Sequence, residues 1–201
     1  MPGHNHKDRA LAIVRRRGIA RAQDFRSAGI SPTIISRLER DGILIRLGRG
    51  LYQLAGADLS ASHSLAAASR AVPRGVIALL SALQFHGLTT QVPHQVWMLL
   101  PSNSWAPRNP PVAIQVVRAS GRALACGVER HVIERVVVTI TVPAKTVADC
   151  FKYRSKVGLD VATEALRDYL RASGANRDDL WRYAELCRVQ NVIRPYLEAM
   201  Q

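Results

Sequence analysis

A helix with well-marked ends lies in the first quarter of the chain and constrains its fold more than any other segment. Ser31 can serve as the N-cap, and Pro32 fits the first helical position. Gly42 is suited to end the helix, because glycine adopts the left-handed backbone conformation common just beyond helix ends. Between these residues, Ile34, Ile35 and Leu38 fall on one face. The segment therefore predicts a short amphipathic helix.

A predicted β-hairpin follows this helix directly. Two short apolar runs, residues 43–47 and 51–54, flank the tight turn Gly48-Arg49-Gly50. Upstream, apolar spacing predicts two more helices over residues 6–17 and 21–28, ended by Gly18 and Gly29. Three short helices followed by a hairpin are typical of a winged helix-turn-helix, the architecture that we expect for residues 1–56.

The polar face of the third helix carries side chains suited to reading DNA. A helix in the major groove can present three or four side chains to base edges, and arginine can bind guanine through two hydrogen bonds. An arginine at the tip of a wing suits the narrow minor groove. The predicted DNA-contact residues are Thr33, Ser36, Arg37 and Arg40 on the helix, Arg46 and Arg49 on the hairpin, and Arg17 and Arg21 in the upstream helices.

The distribution of charge supports a polyanionic partner. The chain of 201 residues has a formal net charge of +13. Residues 1–56 contain 11 Lys and Arg against 4 Asp and Glu, so about a quarter of the chain carries a net charge of +7. Nucleic acid and anionic membrane surfaces both attract such a charge. Aromatic residues make up only 5% and the N-terminal helices are short, so we expect double-stranded DNA and no membrane.

The remainder, residues 57–201, predicts a second domain with a small sheet flanked by helices. The fold class expected for the chain is α+β, with a winged helix-turn-helix followed by this mixed α/β domain. Helices are predicted over 60–72, 74–87, 143–153, 158–172 and 177–199, and strands over 95–100, 112–117, 127–133 and 135–142.

Cysteine content and the chain start indicate the cellular compartment. Cys126, Cys150 and Cys187 are odd in number and widely spaced, which predicts buried free thiols rather than a disulfide framework. No apolar run typical of a secretory signal follows Met1. We therefore expect a cytoplasmic protein. No phosphate-binding glycine loop, dinucleotide fingerprint or metal-ligand spacing is present, so no cofactor or metal is predicted.

Three segments resemble one known protein family. Residues 29–54, with "RLGRGLYQL" as their most specific part, resemble the N-terminal domain of AbiEi-type antitoxins of type IV toxin–antitoxin systems. Residues 75–101 and 145–170 resemble the C-terminal region of the same family. Taken as a whole, the resemblance covers most of the chain, from about residue 8 to residue 170.

This resemblance implies a two-domain, DNA-binding transcriptional repressor and antitoxin. Proteins of this kind repress their own operon by binding inverted repeats in the promoter. Their cognate toxin is a nucleotidyltransferase-like protein that the antitoxin typically does not bind directly. In characterised relatives the C-terminal domain is needed for antitoxicity.

Other functions remain open at this point. An enzyme would be nuclease-like, with a metal ion held among Lys145, Asp149, Lys152, Asp160 and Glu164. The same spacings suit a solvated face of ion pairs, which we favour, so no catalytic residue is predicted. An orphan regulator without a toxin, or a module that binds a protein partner, is also compatible with the sequence.

Overall fold

The computed structural model describes residues 2–200, with side chains from residue 6 onward, as a mixed α/β protein. Internal contacts divide the chain into two compact units. The first unit contains Met1–Pro73, Ala106–Ala113 and Val132–Val138. The second unit contains Arg74–Trp105, Ile114–His131 and Thr139–Gln201. The sequence-based boundary between residues 56 and 57 stays a prediction.

The first unit combines short helices with a three-stranded antiparallel sheet. The strand order is β1-β3-β2, so the first strand pairs with the second strand of the hairpin. The elements in chain order are α1 (Pro2–Arg17), β1 (Ile19–Arg21), α2 (Ala22–Ser27), α3 (Pro32–Arg40), β2 (Leu44–Gly48), β3 (Leu51–Leu54) and α4 (His63–Ala71).

A small apolar core joins α1, α2 and α3 with the three strands. Val14 of α1, Phe25 of α2, Leu38 of α3 and Leu44 of β2 are all buried in one cluster. The ring of Phe25 packs edge-on against Tyr52 of β3, with centroids 5.8 Å apart. Because α1, α2 and α3 each give one apolar face to this core, their opposite faces are left to solvent.

The second unit surrounds a mixed sheet with helices. The five-stranded sheet has the order β6-β5-β4-β8-β7, with β5 parallel to β6 and antiparallel to β4. Val132–Val138, which includes the turn between β7 and β8, is counted with the first unit. The elements are β4 (Val76–Ile77), α5 (Leu79–Phe85), β5 (Val96–Pro101), β6 (Ile114–Ala119), α6 (Arg122–Ala125), β7 (Val128–Ile133), β8 (Val136–Thr141), α7 (Pro143–Lys152), α8 (Arg154–Val157), α9 (Leu159–Arg171), α10 (Arg177–Cys187) and α11 (Gln190–Ala199).

Helix α7 is the central helix of the second unit. Every residue from Ala144 to Phe151 is buried, and the helix packs against α5, α9 and α10. Its polar residues are therefore enclosed together with its apolar ones. Burial raises the pKa of the Cys187 thiol, which lies against this helix, to about 12. Cys150 is likewise buried, whereas Cys126 is partly exposed, and all three are free thiols.

Several predicted elements need correction. The helix predicted over 74–87 is wrong in its first part, because Val76 and Ile77 form β4 and pair with Leu99 and Met98. A run that is apolar on all sides does not distinguish a buried strand from a buried helix. The helix predicted over 177–199 is interrupted at Arg188, which adopts the left-handed conformation with φ 59°. Strand β1 was not predicted, since three residues carry too little pattern.

The confirmed elements include the ones that matter most for the site. Helix α3 spans Pro32–Arg40 with Pro32 in its first turn, and the hairpin spans β2 and β3 as predicted. Ser31 occupies the N-cap position, although its side chain makes no capping hydrogen bond. Within residues 2–200, no helix has the length and apolar character needed to cross a bilayer.

Candidate nucleic-acid interface

Helix α3 separates its side chains into a buried row and an exposed row. Ile35 and Leu38 are buried in the core of the first unit. Ile34 and Glu39 are partly exposed, and the exposed positions include every side chain predicted to contact DNA from this helix. Those side chains are Thr33, Ser36, Arg37 and Arg40.

The two arginines of this exposed row have no partner among the residues that the structure describes. Neither Arg37 nor Arg40 forms a side-chain hydrogen bond or ion pair with any residue that the structure describes. Exposed arginine side chains that lose no intramolecular bond are available to phosphate or base edges at low cost. Helix α3 therefore has an exposed cationic face whose arginines bond to no other described residue.

The hairpin presents its arginines differently. Arg49 is exposed at the turn and has no hydrogen-bond partner among the described residues, whereas Arg46 Nε points to the Gly48 carbonyl oxygen at 3.4 Å. Gly50 has φ +70°, a value that favours glycine. Its carbonyl oxygen accepts a hydrogen bond of 2.8 Å from the Ala22 amide, which fixes the turn to the start of α2.

A loop of the first unit lies beside the base of this turn. A Cβ added to Gly48 would come within 3.3 Å of the Pro111 side chain, so the hairpin and the loop over Ala106–Ala113 are closely packed. Glycine at position 48 allows this close approach. Arg49 remains exposed next to it.

Asp24 brings together the two remaining predicted arginines. Asp24 Oδ2 accepts a hydrogen bond of 2.7 Å from the Arg21 amide at the start of α2. Asp24 Oδ1 lies 3.6 Å from Arg17 Nε, and Oδ2 lies 2.5 Å from Arg70 Nη2. Arg17 and the backbone of Arg21 thus take part in a charged network inside the first unit.

The guanidinium of Arg21 is also engaged within the protein. Its Nε donates to the Arg70 carbonyl oxygen at 2.8 Å, and its Nη2 donates to the Ala71 carbonyl oxygen at 3.3 Å. These carbonyls end α4, where helices leave acceptors unpaired. Arg70 in turn donates from Nε to the Ile19 carbonyl oxygen at 2.7 Å. Arg21 therefore stabilises the first unit through its own hydrogen bonds, whereas the arginines of α3 have no partner among the described residues.

Sequence reasoning missed Arg70 and its partner Asp24. Arg70 lies in an alanine-rich helix, and burial lowers its pKa while Asp24 opposes that effect. The one available signal was Asp24 itself, placed three residues after Arg21 in the spacing of a capping box. Nothing in the sequence links it to a residue 46 positions away.

A second polar cluster surrounds Glu134, which lies in the turn between β7 and β8. Glu134 Oε1 accepts hydrogen bonds from the Ser60 amide and hydroxyl, at 2.7 and 3.0 Å. His63 Nδ1 lies 2.8 Å from Oε2. Burial by itself raises the pKa of Glu134, but the bonds from His63 and Ser60 outweigh it, and the pKa is lowered overall.

The proposed enzymatic residues do not form an exposed metal site. Lys145 and Asp149 form an ion pair with 0% and 1% of their side chains exposed, which also corrects the expected solvated face for this pair. Burial raises the pKa of Asp149, with the Lys145 ammonium opposing it. The three others lie on α7 and α9, with Lys152 and Glu164 partly exposed and Asp160 exposed. Across residues 2–200 no three His, Cys, Asp or Glu side chains are grouped to hold a metal ion.

A comparison with known families finds a similarity in the N-terminal segment. Residues 8–55 match the model of a family described as "Transcriptional regulator, AbiEi antitoxin", which confirms the predicted resemblance over this segment. The segment contains α3, the hairpin and all eight predicted contact residues. Residues 75–101 and 145–170 lie outside the match, so the resemblance there stays a prediction.

A solved structure similar to the whole chain is the crystal structure of the Rv2827c protein from Mycobacterium tuberculosis. The TM-score is 0.55 at 16% sequence identity, with 98% of this chain and 80% of that chain covered. At this identity the likeness concerns the fold alone. The chain has no match among curated protein sequences.

Proposed function

We propose that α1–α3 and the β2–β3 hairpin form a winged helix-turn-helix that binds double-stranded DNA. In this proposal α3 enters the major groove, and the hairpin is the wing that contacts the backbone or minor groove. The observation that carries the proposal is the exposed face of α3, with Arg37 and Arg40 unpartnered among the described residues. The family match over residues 8–55 supports the same function.

The structure suggests a narrower contact set than the sequence did. Thr33, Ser36, Arg37 and Arg40 are the base-reading candidates, and Arg49 is the wing contact. Arg46 is exposed and could approach a phosphate from the adjoining strand. We leave Arg21 out, because α4 occupies its guanidinium, and we assign Arg17 mainly to its ion pair with Asp24.

We further propose that the protein is a transcriptional repressor of its own operon and the antitoxin of a type IV system. The proposed operator is a promoter inverted repeat, and the proposed toxin is nucleotidyltransferase-like and not bound directly. The DNA-binding domain would comprise residues 1–56, and the rest of the chain would form the antitoxin domain. The family description, which joins transcriptional regulation with antitoxin function, supports this assignment.

The first test is a binding titration of the full chain against its own upstream DNA and a scrambled duplex. Salt is varied, Mg²⁺ is present, and the DNA is checked for cleavage. We expect preferential binding of intact upstream DNA, with log affinity falling linearly with log salt. Equal, weak binding of both duplexes would contradict the operator proposal, and cleaved DNA would favour the nuclease hypothesis.

Variants then separate base reading from general attraction. Arg37→Ala with Arg40→Ala should reduce discrimination by about 1–3 kcal/mol for each lost guanine contact. Arg49→Ala should weaken binding to both duplexes by a similar factor. The matched control is Arg167→Ala with Arg171→Ala, which removes the same charge from exposed positions of α9. Unchanged discrimination in the α3 double variant would overturn the assignment of α3 as recognition helix.

A further inference from the structure

A cavity of about 850 Å³ in the second unit is lined by nine residues, of which four are cationic. Arg122 comes from the start of α6, Lys152 from the end of α7, and Arg182 and Arg188 from α10 and its C-cap. Glu185 is the single carboxylate among the lining residues. The side chains that line the cavity thus have a formal charge of +3, well separated along the sequence but converging in space.

Most of these cations lack an anionic partner in the described part of the chain. Arg122, Lys152 and Arg188 form no ion pair with another described residue, whereas Arg182 pairs with Asp179 at 2.9 Å. Like charges that converge at a solvated surface repel each other only weakly, because water and salt screen them, whereas an anion bound between them is attracted by every one of them. Because Arg122, Arg182 and Arg188 are exposed, the arrangement costs little when empty, and a bound anion is attracted by all of these charges.

Helix dipoles explain only part of this arrangement. Lys152 and Arg188 lie at the C-terminal ends of α7 and α10, where a cation offsets the negative end of a helix. Arg122 lies in the single turn of α6, which is too short to assign it a dipole effect, and Arg182 lies within α10, where it pairs with Asp179 and stacks on Tyr183. Arg188 also holds a left-handed backbone conformation that non-glycine residues rarely adopt. Of the four cations, Arg122 is left with neither a helix-dipole role nor an ion-pair partner among the described residues, so a bound anion would supply its counter-charge.

We propose that this cavity binds the phosphate chain of a small phosphorylated molecule, of the class of nucleoside di- and triphosphates. Its volume lies within the range of about 300–1,000 Å³ that is typical of small-molecule sites. Arginine and lysine are the side chains that bind phosphate oxygens most strongly, through charge-assisted hydrogen bonds. The Ser120 hydroxyl lines the same space and can donate to a phosphate oxygen. The inference is independent of the DNA-binding proposal, since it concerns residues of the second unit only.

The test is isothermal titration calorimetry of the full chain with ATP, ADP, AMP and inorganic triphosphate at low salt. We expect saturable binding of one ATP per chain, with affinity falling from ATP to ADP to AMP. Comparable binding of inorganic triphosphate would identify the phosphate chain as the recognised group. Markedly tighter binding of ATP would add recognition of the nucleoside. Absence of saturable binding for all four compounds would overturn the proposal.

Paired variants locate the site. Arg122→Ala with Lys152→Ala should weaken ATP binding at least about tenfold, as expected when two charge-assisted contacts are lost. Arg188→Gly should also weaken it, while keeping a residue suited to positive φ. The control is again Arg167→Ala with Arg171→Ala, which should change ATP affinity less than about twofold. Equal losses in the two double variants would indicate unspecific attraction and overturn the site.

Duplex DNA provides the last arm of the experiment. If the cavity belongs to a small molecule, the Arg122→Ala, Lys152→Ala variant should keep its affinity for duplex DNA. ATP should then bind equally well in the presence of a short duplex. If the duplex displaces ATP and the variant loses DNA affinity by the same factor, the cations serve a DNA backbone and the proposal fails.

Discussion

Helices α3 and α7 begin alike and use their charged residues in opposite ways. Each has proline in its first turn after an extended residue, and each carries charges spaced by about one turn. In α3 of the first unit, Arg37 and Arg40 remain exposed and unpartnered among the described residues. In α7 of the second unit, Lys145 and Asp149 are buried and paired with each other.

The difference lies in how many sides of the helix are covered. Helix α3 gives one face to the core, so its charges stay in water and cost little. Helix α7 is enclosed from Ala144 to Phe151, so any charge on it must be paired. The exposed charges of α3 are therefore available to bind a ligand. The buried charges of α7 must instead pair with each other for the unit to fold.

The largest expected effect comes from breaking the buried pair. Lys145→Met keeps the length of the side chain but leaves the Asp149 carboxylate buried with the Cys187 thiol as its remaining described partner. We expect a loss of about 3–5 kcal/mol in the free energy of unfolding at neutral pH. Urea denaturation followed by circular dichroism measures it.

The pH dependence of this loss distinguishes an unpaired charge from a packing defect. Burial already raises the pKa of Asp149, and loss of Lys145 should raise that pKa further. When the pKa of a carboxyl is higher in the folded than in the unfolded state, the protein loses stability as pH rises above the unfolded-state pKa. The deficit of Lys145→Met should therefore shrink as pH falls from 7 toward 4. A deficit independent of pH would contradict the ion-pair explanation, and Lys145→Met with Asp149→Leu should recover part of the stability.

The second largest effect is expected at Arg70, which is less exposed than the arginines of α3 and less buried than the ion pair of α7. Arg70 has 18% of its side chain exposed and bonds to Asp24 and to the Ile19 carbonyl oxygen. Arg70→Ala should cost about 1–3 kcal/mol, because both acceptors lose a charged donor. Arg26→Ala is the matched control, since Arg26 is exposed on α2 and should change stability by less than about 0.5 kcal/mol. Equal effects of the two substitutions in thermal denaturation would show that Arg70 is not structural.

A smaller effect is expected at Glu134. Its pKa is lowered in the folded state, so the stability it contributes is present above the unfolded value and lost as pH falls through the folded one. With an unfolded value of about 4.3, the loss should occur below about pH 5. Glu134→Gln should cost on the order of 1 kcal/mol at pH 6 and remove this part of the acid dependence. An unchanged slope of stability between pH 5 and 3 in the variant would refute the assignment.

The sequence could predict the first unit better than the second for a physical reason. Caps, glycine stops and a short turn fix α3 and the hairpin locally, so residues close in sequence determine them. In the second unit, β4 exists because Val76 and Ile77 pair with distant residues of β5, which no local pattern indicates. The apolar run that contains β4 therefore misled the helix prediction.

The same distinction applies to the predicted site. The exposure of Arg37, Arg40 and Arg49 follows from helix periodicity and from a position at a turn. The engagement of Arg21 depends on α4, nearly 50 residues away, and the burial of Lys145 depends on the helices around α7. Local spacing gives the face of a helix, but the number of elements packed around that helix is a tertiary property.

The smallest expected effect on stability is at the proposed interface itself. Arg37→Ala should change the free energy of unfolding by less than about 0.5 kcal/mol, because its side chain is exposed and bonds to no described residue. Alanine also has the higher helix propensity, which offsets the small loss of packing. Measured beside Arg70→Ala by urea denaturation, Arg37→Ala should fold like the unmodified protein. A loss above about 1 kcal/mol would mean that Arg37 supports the fold, and its effect on DNA affinity could then not be assigned to contact with DNA.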